Sequence, residues 1–252
     1  MPRLASLTSQ TLLGLGITRG VSLIFTLDNP NPFGTSADDW FGALVDIDGN
    51  LIITSAFQED DAGGLTSGKA YIYNATTGAL LHTLDNPNPF GTSAGDNFGS
   101  SVAISGNYAI VGAIYEDDAG GTGSGKAYIF NVTTGDLVYT LDNPNAFGTS
   151  QSDNFGVSVS MSGNYAIVGA YQEDDAGGLS SGKAYVFKTT VGDWTDTTLI
   201  DTLDNPNAFG TSAGDNFGRK VSISGNRCIV GAYLEDAGEN ASGIAYVYKL
   251  PS

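Results

Sequence analysis

An all-β fold built from four copies of one unit is predicted by three observations. The segment Thr-Leu-Asp-Asn-Pro-Asn begins at Thr26, Thr83, Thr140 and Thr202, with spacings of 57, 57 and 62 residues, which is typical of a repeat architecture. The 252 residues include 35 Gly and 8 Pro, which favours many turns and few helices. No window shows the sustained apolar spacing of an amphipathic helix. The chain is therefore predicted to form one array of repeats.

The second copy shows how one unit is expected to fold. Residues 98–105 alternate like a short strand and end at the Gly-Asn turn signal at 106–107. Residues 108–113 form an apolar run, residues 125–130 a third strand and residues 137–141 a fourth. Four antiparallel strands in roughly 57 residues match one propeller blade. A solenoid of stacked hairpins is the alternative architecture.

The two ends of the repeat region favour a closed ring. The last copy stops after its third strand, at residues 243–249, whereas an additional strand at Val21–Asp28 precedes the first copy and aligns with residues 135–142. This N-terminal strand can complete the last blade, and closure removes exposed sheet edges, which promote aggregation. We therefore predict a closed four-bladed β-propeller of four-stranded antiparallel blades, in which residues near 25 lie beside residues near 246. If these stretches lie apart within one molecule, pairing between molecules has to replace the isolated ring.

The predicted domain organisation follows from these boundaries. Residues 1–20 form an extended N-terminal arm, and residues 21–252 form the propeller. The repeats lie near 26–82, 83–139, 140–201 and 202–250, with 21–28 as the closing strand.

Short motifs recur within the copies. Phe-Gly begins at residues 41, 98, 155 and 217, and Gly-Ala follows 14 residues later at 112, 169 and 231, with Ser55-Ala56 in the first copy. These motifs resemble the FG-GAP repeat, and the longer string around them is similar to its bacterial and phage branch over residues 21–250. The resemblance implies a β-propeller, as in the heads of integrin α chains, and a use in adhesion and display with no single chemistry. Because integrin heads have seven blades, the blade number predicted here depends on closure.

The charge of the chain excludes several classes of partner. The formal net charge is −17, with 10 Lys and Arg residues, which argues against binding nucleic acid or anionic lipid through a basic surface. No run of 18 apolar residues occurs, so we expect no membrane insertion. The single cysteine, Cys228, occupies the position of Ala109 and Ala166 in other copies, and we predict a small core residue there.

The sequence gives little indication of a catalytic site. The single histidine, His82, stands where other copies have Phe25, Tyr139 and Asp201, which predicts a surface strand residue. The chain has no histidine cluster for zinc and no phosphate-binding glycine loop that enters a helix. Most acidic residues recur in every copy, whereas a catalytic pair is normally built once. We predict that the protein is not an enzyme, and a carbohydrate-active enzyme that uses two carboxylates is the remote alternative.

The acidic loops are the candidate metal sites. Hard cations prefer several oxygen ligands, and the resemblance to integrin-type repeats implies calcium in Asp-rich loops. The Asp-x-Asp-x-Asp-Gly pattern of those repeats is not reproduced, and Asp46-Ile-Asp48-Gly-Asn50 is the nearest match. A solvated loop with Asx turns and a lysine partner is the other interpretation. The candidate calcium ligands are Asp46, Asp48, Asp60, Asp61, Asp117, Asp118, Asp174 and Asp175.

The residues that break the repeat are either partner contacts or the result of drift between copies, and the N-terminal arm is the other candidate contact. Trp40 replaces an Asn, Trp194 lies in an insertion, and Arg219-Lys220 is a basic pair on an acidic chain. The arm carries apolar residues that it cannot bury alone, so we expect it to bind a partner subunit. These residues are Leu4, Leu7, Leu12, Leu13, Leu15 and Ile17.

These observations predict a non-enzymatic interaction propeller that its N-terminal arm anchors to a larger protein assembly. The leading hypothesis is a component of a phage virion, either a head decoration or a tail- or fibre-associated protein, because residues 1–20 make a poor export signal. The alternative is a secreted or cell-surface bacterial adhesin that binds host-surface glycans with calcium.

Overall fold

A computed structural model of the protein describes residues 21–30, 36–62, 64–87, 92–118, 121–144, 150–175, 178–206, 212–236 and 240–251. Every regular element assigned in these ranges is a β-strand. These ranges therefore contain no helix long and apolar enough to span a membrane. The predicted arm falls outside the described residues, and so do its six candidate contact residues, Leu4, Leu7, Leu12, Leu13, Leu15 and Ile17.

Each repeat folds as one antiparallel sheet in which consecutive strands are neighbours. Blade 1 contains β1 (Val45–Asp48), β2 (Leu51–Ala56), β3 (Lys69–Asn74) and β4 (Leu80–Asp85). Blade 2 contains β5 (Phe98–Ser105), β6 (Tyr108–Ala113), β7 (Lys126–Asn131) and β8 (Leu137–Asp142). Blade 3 contains β9 (Phe155–Ser162), β10 (Tyr165–Ala170), β11 (Lys183–Lys188) and β12 (Thr198–Asp204), and blade 4 contains β13 (Phe217–Ser224), β14 (Arg227–Ala232) and β15 (Ile244–Lys249). The predicted all-β array of four blades is confirmed.

Local sequence explains how each blade forms. The first two strands meet at a Gly that adopts a positive φ, such as 58° at Gly106, a conformation that costs glycine little. The next strand is apolar along its whole length because both of its faces are covered, as in β6, where Ala109 to Ala113 are all buried. A continuous apolar run is what a doubly covered strand requires.

The hydrophobic core lies between the blades. Ile110 and Ile129 of blade 2 pack against Phe155, Val168 and Tyr185 of blade 3, and all five side chains are fully buried. Similar clusters join blade 1 to blade 2 and blade 3 to blade 4. Each internal blade therefore contributes both faces to the core, as expected for layers that cannot bury their apolar surface alone.

Close backbone contacts and hydrogen bonds fix the joints between blades. At the joint between blades 3 and 4, the Ser160 hydroxyl accepts a hydrogen bond from the backbone N–H of Ile223 at 3.2 Å. The Ser162 hydroxyl accepts one from the N–H of Gly225 at 3.0 Å. In the same joint, a Cβ atom at Gly169 would overlap the carbonyl oxygen of Gly218. The backbones thus approach as closely as glycine permits, and each joint has a defined geometry.

The predicted ring closure is not observed among the described residues. Blade 4 has three strands, and β15 pairs only with β14. Residues 21–28 form no strand. They lie against blade 1 instead, where Leu27 packs with Tyr71 and Tyr73, and the Tyr73 hydroxyl donates to the Asp28 carbonyl at 3.4 Å.

The physical reason is the geometry of the joints. Extensive contacts join β5 to β1 and β2, β9 to β5, and β13 to β9, that is, consecutive blades. These contacts therefore join each blade to its neighbours in sequence and leave Ile47 of blade 1 and Val247 of blade 4 exposed. The segment 21–28 still takes the place of a preceding fourth strand, since Asn29 donates to Asp39 as Asn86 donates to Asp96, both at 2.8 Å.

Candidate interaction surfaces

The first acid of each acidic loop is buried and bonded to a tyrosine. In blade 2 the Tyr128 hydroxyl donates to Glu116 at 2.5 Å, and in blade 3 Tyr185 donates to Glu173 at 2.6 Å. Burial raises the pKa of Glu116 to about 8, although the bond from Tyr128 opposes the rise. Blade 1 repeats the pair with Glu59 and Tyr71 at 2.5 Å. These glutamates anchor the loop to the third strand and are not exposed to a ligand.

The second acid of each loop closes the loop onto its own backbone. Asp60 accepts the N–H of Thr66 at 2.9 Å, Asp117 that of Gly123 at 2.9 Å, and Asp174 that of Ser180 at 2.8 Å. These are the Asx-type contacts of a turn.

In blades 1 to 3 the third acid of the loop bonds a serine from the following connection. Ser150 donates to Asp118 at 3.0 Å, and Ser212 donates to Asp175 at 3.3 Å. In blade 1, Asp61 lies 3.6 Å from the ammonium of Lys69. Lys69 also forms an ion pair with Asp85. In blade 1 the loop therefore combines an Asx-type contact with a lysine partner.

Asp46 and Asp48 lie on β1 and bind the next blade. Asp46 accepts the N–H of Ile104 at 2.9 Å, and Asp48 accepts the N–H of Gly106 at 2.6 Å. They take the place that serine hydroxyls occupy at the joint between blades 3 and 4. Within the described ranges, no three His, Cys, Asp or Glu side chains are grouped so that they could hold a metal. Calcium binding stays a prediction.

A second set of buried acids links each blade to the preceding connection. Asn86 donates to Asp96 at 2.8 Å and Asn143 donates to Asp153 at 2.9 Å. Burial raises the pKa of both aspartates to about 7, and these hydrogen bonds oppose the rise. Sequence analysis missed these pairs. Their signal is an Asn that follows the fourth strand and an Asp ten residues later in each copy.

Trp40 stands in a strained backbone position. Its φ is 60°, and the residue at the same place in blade 2, Asn97, has a φ of 54°. Asn tolerates this region, and Asn97 also donates to the carbonyl of Phe57 at 3.1 Å. A bulky aromatic residue at positive φ is rare, and the buried Trp194 shares this feature with a φ of 64°. Trp40 is 55% exposed and packs edge-on against Phe57, with ring centroids 5.4 Å apart.

The other repeat-breaking residues have different environments. Arg219 places its guanidinium 4.5 Å from the ring centroid of Tyr171, a cation–π contact between blades 4 and 3. Lys220 is exposed on β13. Trp194, predicted as a contact position, is instead buried in the cluster between blades 2 and 3, because the insertion folds back onto the core. It is not available to a partner.

Tyrosines from three blades meet near Arg219. Tyr115 and Tyr233 are about half exposed. Burial is the main cause of the raised pKa of Tyr171, Arg219 opposes it, and the proximity of Tyr115 and Tyr233 adds to it. This arrangement brings an aromatic and cationic patch together on the surface of an acidic protein.

Neither unique nucleophile is placed for catalysis. The Nε2 atom of His82 lies 3.2 Å from the carbonyl oxygen of Thr133, and the residue lies on β4 at the surface. Cys228 is buried, as predicted for a small core residue, and burial raises the pKa of its thiol to about 11. A thiol with so high a pKa is a poor nucleophile at neutral pH.

Both ends of the array expose apolar sheet surface. On blade 1, Val45 is 67% and Ile47 is 62% exposed. Residues 21–25 and Ile47 line an apolar groove of about 520 Å³ together with Ile52 and Ala75. On blade 4, Val247 is 68% exposed, whereas Ile129 at the same place in blade 2 is fully buried. The ends are therefore two unpaired halves of the joint seen inside the array.

Comparison with known families identifies the repeat. The profile of the FG-GAP repeat matches residues 33–73, 90–130, 146–187 and 208–248. Each match ends in or next to the third strand of one blade. A search of curated proteins found no match. Repeats of this kind indicate a propeller interaction module and are generally non-catalytic.

Proposed function

Because the chain belongs to the FG-GAP repeat family, we propose that it is a non-enzymatic module displayed on a larger protein assembly, namely a component of a phage virion. One observation carries the proposal: both end blades expose apolar faces of the kind that every internal joint buries. Monomeric proteins rarely leave such contiguous patches uncovered. The residues 1–20 supply an additional apolar anchor in the sequence.

The contacts of the acidic residues support a non-enzymatic role. Glu116 and Glu173 are held by tyrosines, and Asp117 and Asp174 close their own loops. Because the same arrangement occurs in successive blades, it builds the fold and does not form a unique centre. An active site normally needs groups with distinct environments.

Deleting residues 1–20 tests the proposed anchoring. The shortened chain is expected to stay folded and soluble but to be lost from purified particles, because the apolar arm supplies the attachment. Immunoblotting of particles purified from the source measures incorporation, and circular dichroism checks folding. A full-length variant with Ser6, Thr8 and Ser9 replaced by Ala serves as the control and keeps normal incorporation. Normal incorporation of the deletion variant would contradict the proposal.

A surface adhesin that binds glycans is the second candidate, favoured by the exposed and strained Trp40. An exposed aromatic face suits ring-shaped ligands that have both apolar and polar edges. Replacing Trp40 by Ala is expected to weaken glycan binding at least about tenfold, in line with the loss of an aromatic anchor. Titration of a glycan found on an array measures the effect, and Leu65→Ala, at another exposed apolar residue, is the control. Equal affinity of the Trp40→Ala and wild-type proteins would exclude Trp40 as the glycan contact.

A further inference from the structure

We propose that the first blade of a second copy of this chain docks on blade 4, with residues 21–28 of that copy completing its three-stranded sheet. The inference names the partner of the end faces and rests on their proposed role in assembly. The internal joints are the template for this contact, because the open face of blade 4 corresponds to one half of a joint and the open face of blade 1 to the other half.

The open face of blade 4 matches the faces that blades 2 and 3 bury. Ile229 is 42% exposed, whereas Ile110 and Ile167 at the same repeat position are fully buried. The exposed Val247 corresponds in the same way to Ile129 and is the centre of this face. In blades 2 and 3 the next blade covers these positions, whereas in blade 4 they are exposed.

The open face of blade 1 supplies the complementary half. Leu27 already packs with Phe41, Tyr71 and Tyr73 in a small cluster. This arrangement repeats the packing of Leu141 in the cluster at the front of blade 3. Beside it, the groove lined by residues 21–25 is open to receive side chains from a sheet. The first blade therefore carries the segment that corresponds to a preceding fourth strand, without the sheet to which such a strand belongs.

Polar groups at the two ends also match. Ser222 and Ser224 are exposed on β13, at the places where Ser160 and Ser162 accept N–H groups of the next blade. The exposed Gly49 of blade 1 corresponds to Gly225, whose N–H is one of those donors. A docked second copy would therefore place the Gly49 N–H beside the Ser224 hydroxyl.

The close backbone approach at glycine residues supports the same contact between copies. A Cβ at Gly112 would overlap the carbonyl of Gly156 in the next blade. At the same position in blade 4, a Cβ on Gly231 would have its nearest neighbour 3.8 Å away, at the Lys220 carbonyl. Among the described residues of one molecule, Gly231 has no close neighbour. The joint that would use this glycine is therefore the one with a second copy.

Charge favours a head-to-tail orientation between copies. Four of the 10 basic residues lie on blade 4, namely Arg219, Lys220, Arg227 and Lys249. Residues 21–50 contain five aspartates and no Lys or Arg. Lys220, Arg227 and Lys249 are exposed on the strands of blade 4, so two copies of blade 4 would repel each other and head-to-tail pairing is favoured. A heterologous contact of this kind gives either a closed ring of copies or a filament.

Complementation between two blocked variants tests the proposal with the purified full chain. Wild-type protein is expected to sediment at two or more times the 26.0 kDa chain mass. Val247→Asp blocks the last face and Ile47→Asp the first, and each is expected to be monomeric, with association weakened at least about 100-fold. An equimolar mixture is expected to form dimers and nothing larger, because each variant keeps one intact face.

The outcomes separate the alternatives. Leu179→Asp, at an exposed apolar residue away from both faces, is the control and keeps wild-type assembly. A monomeric wild-type protein would overturn the proposal, whether its faces are free or joined within one chain. A mixture that stays monomeric would overturn head-to-tail docking, and a single variant that still forms dimers would indicate contacts between like ends. Since the test uses purified protein alone, its failure leaves the particle-incorporation result of the proposed function unaffected.

Discussion

Replacing Gly169 by Ala is expected to lower the free energy of unfolding by about 3 kcal/mol, the upper range for overpacking a rigid core. The added methyl group would overlap the carbonyl oxygen of Gly218 across the joint between blades 3 and 4. Backbone atoms cannot yield as a flexible side chain can, so the joint must open. Urea unfolding followed by circular dichroism measures the change.

Gly231→Ala is the matched control, because Gly231 occupies the same repeat position in blade 4. Its added methyl group meets no atom closer than 3.8 Å, so we expect no loss of stability and a gain of up to about 1 kcal/mol from the reduced entropy of the unfolded chain. Both substitutions are compared in the Val247→Asp background, in which the last face is blocked. Equal destabilisation by the two substitutions would show that the close approach at Gly169 is not what limits that joint.

The strands were predictable because their signals are local. Residues 98–105 and 108–113, predicted from alternation and a Gly-Asn turn, are strands β5 and β6 with the same bounds. Closure was not predictable in this way, because it depends on the angle between consecutive blades. That angle is set by contacts such as Gly112 with Gly156, which bring together residues 44 positions apart. A small difference at each joint adds up across the array and decides whether the ends meet.

Only part of the candidate site could be predicted from the sequence, for a related reason. Glu-Asp-Asp-Ala-Gly-Gly looks like a solvated acidic loop, and its second acid does close the loop. The first acid is buried and accepts a hydrogen bond from a tyrosine of the third strand. Nothing in the sequence next to either residue indicates that the two are paired. Trp40 was detectable as a break in the repeat, but its positive φ and its contact with Phe57 needed the structure.

Stability is expected to fall as pH rises from about 4 to about 9, by several kcal/mol in total, because buried carboxyls must ionise. Burial raises the pKa of Asp96 and of Asp153 to about 7, and that of Glu116 to about 8. In the unfolded chain such groups have pKa values near 4. The folded state therefore binds protons more tightly than the unfolded state. Its stabilisation is complete below about pH 4 and is lost as pH rises through the folded-state values.

Asp96→Asn isolates one of these groups. Asparagine keeps an oxygen that can accept the hydrogen bond from Asn86 and removes the titration. Between about pH 4 and 7 the slope of unfolding free energy against pH is expected to become less steep by about 1.4 kcal/mol per pH unit, the value for one proton. Urea titrations at a series of pH values measure the slope, and Asp136→Asn in an exposed turn is the control. A wild-type stability that rises over this range would mean that the carboxyls are ionised and paired in the fold, with the Asn86 bond outweighing the cost of burial.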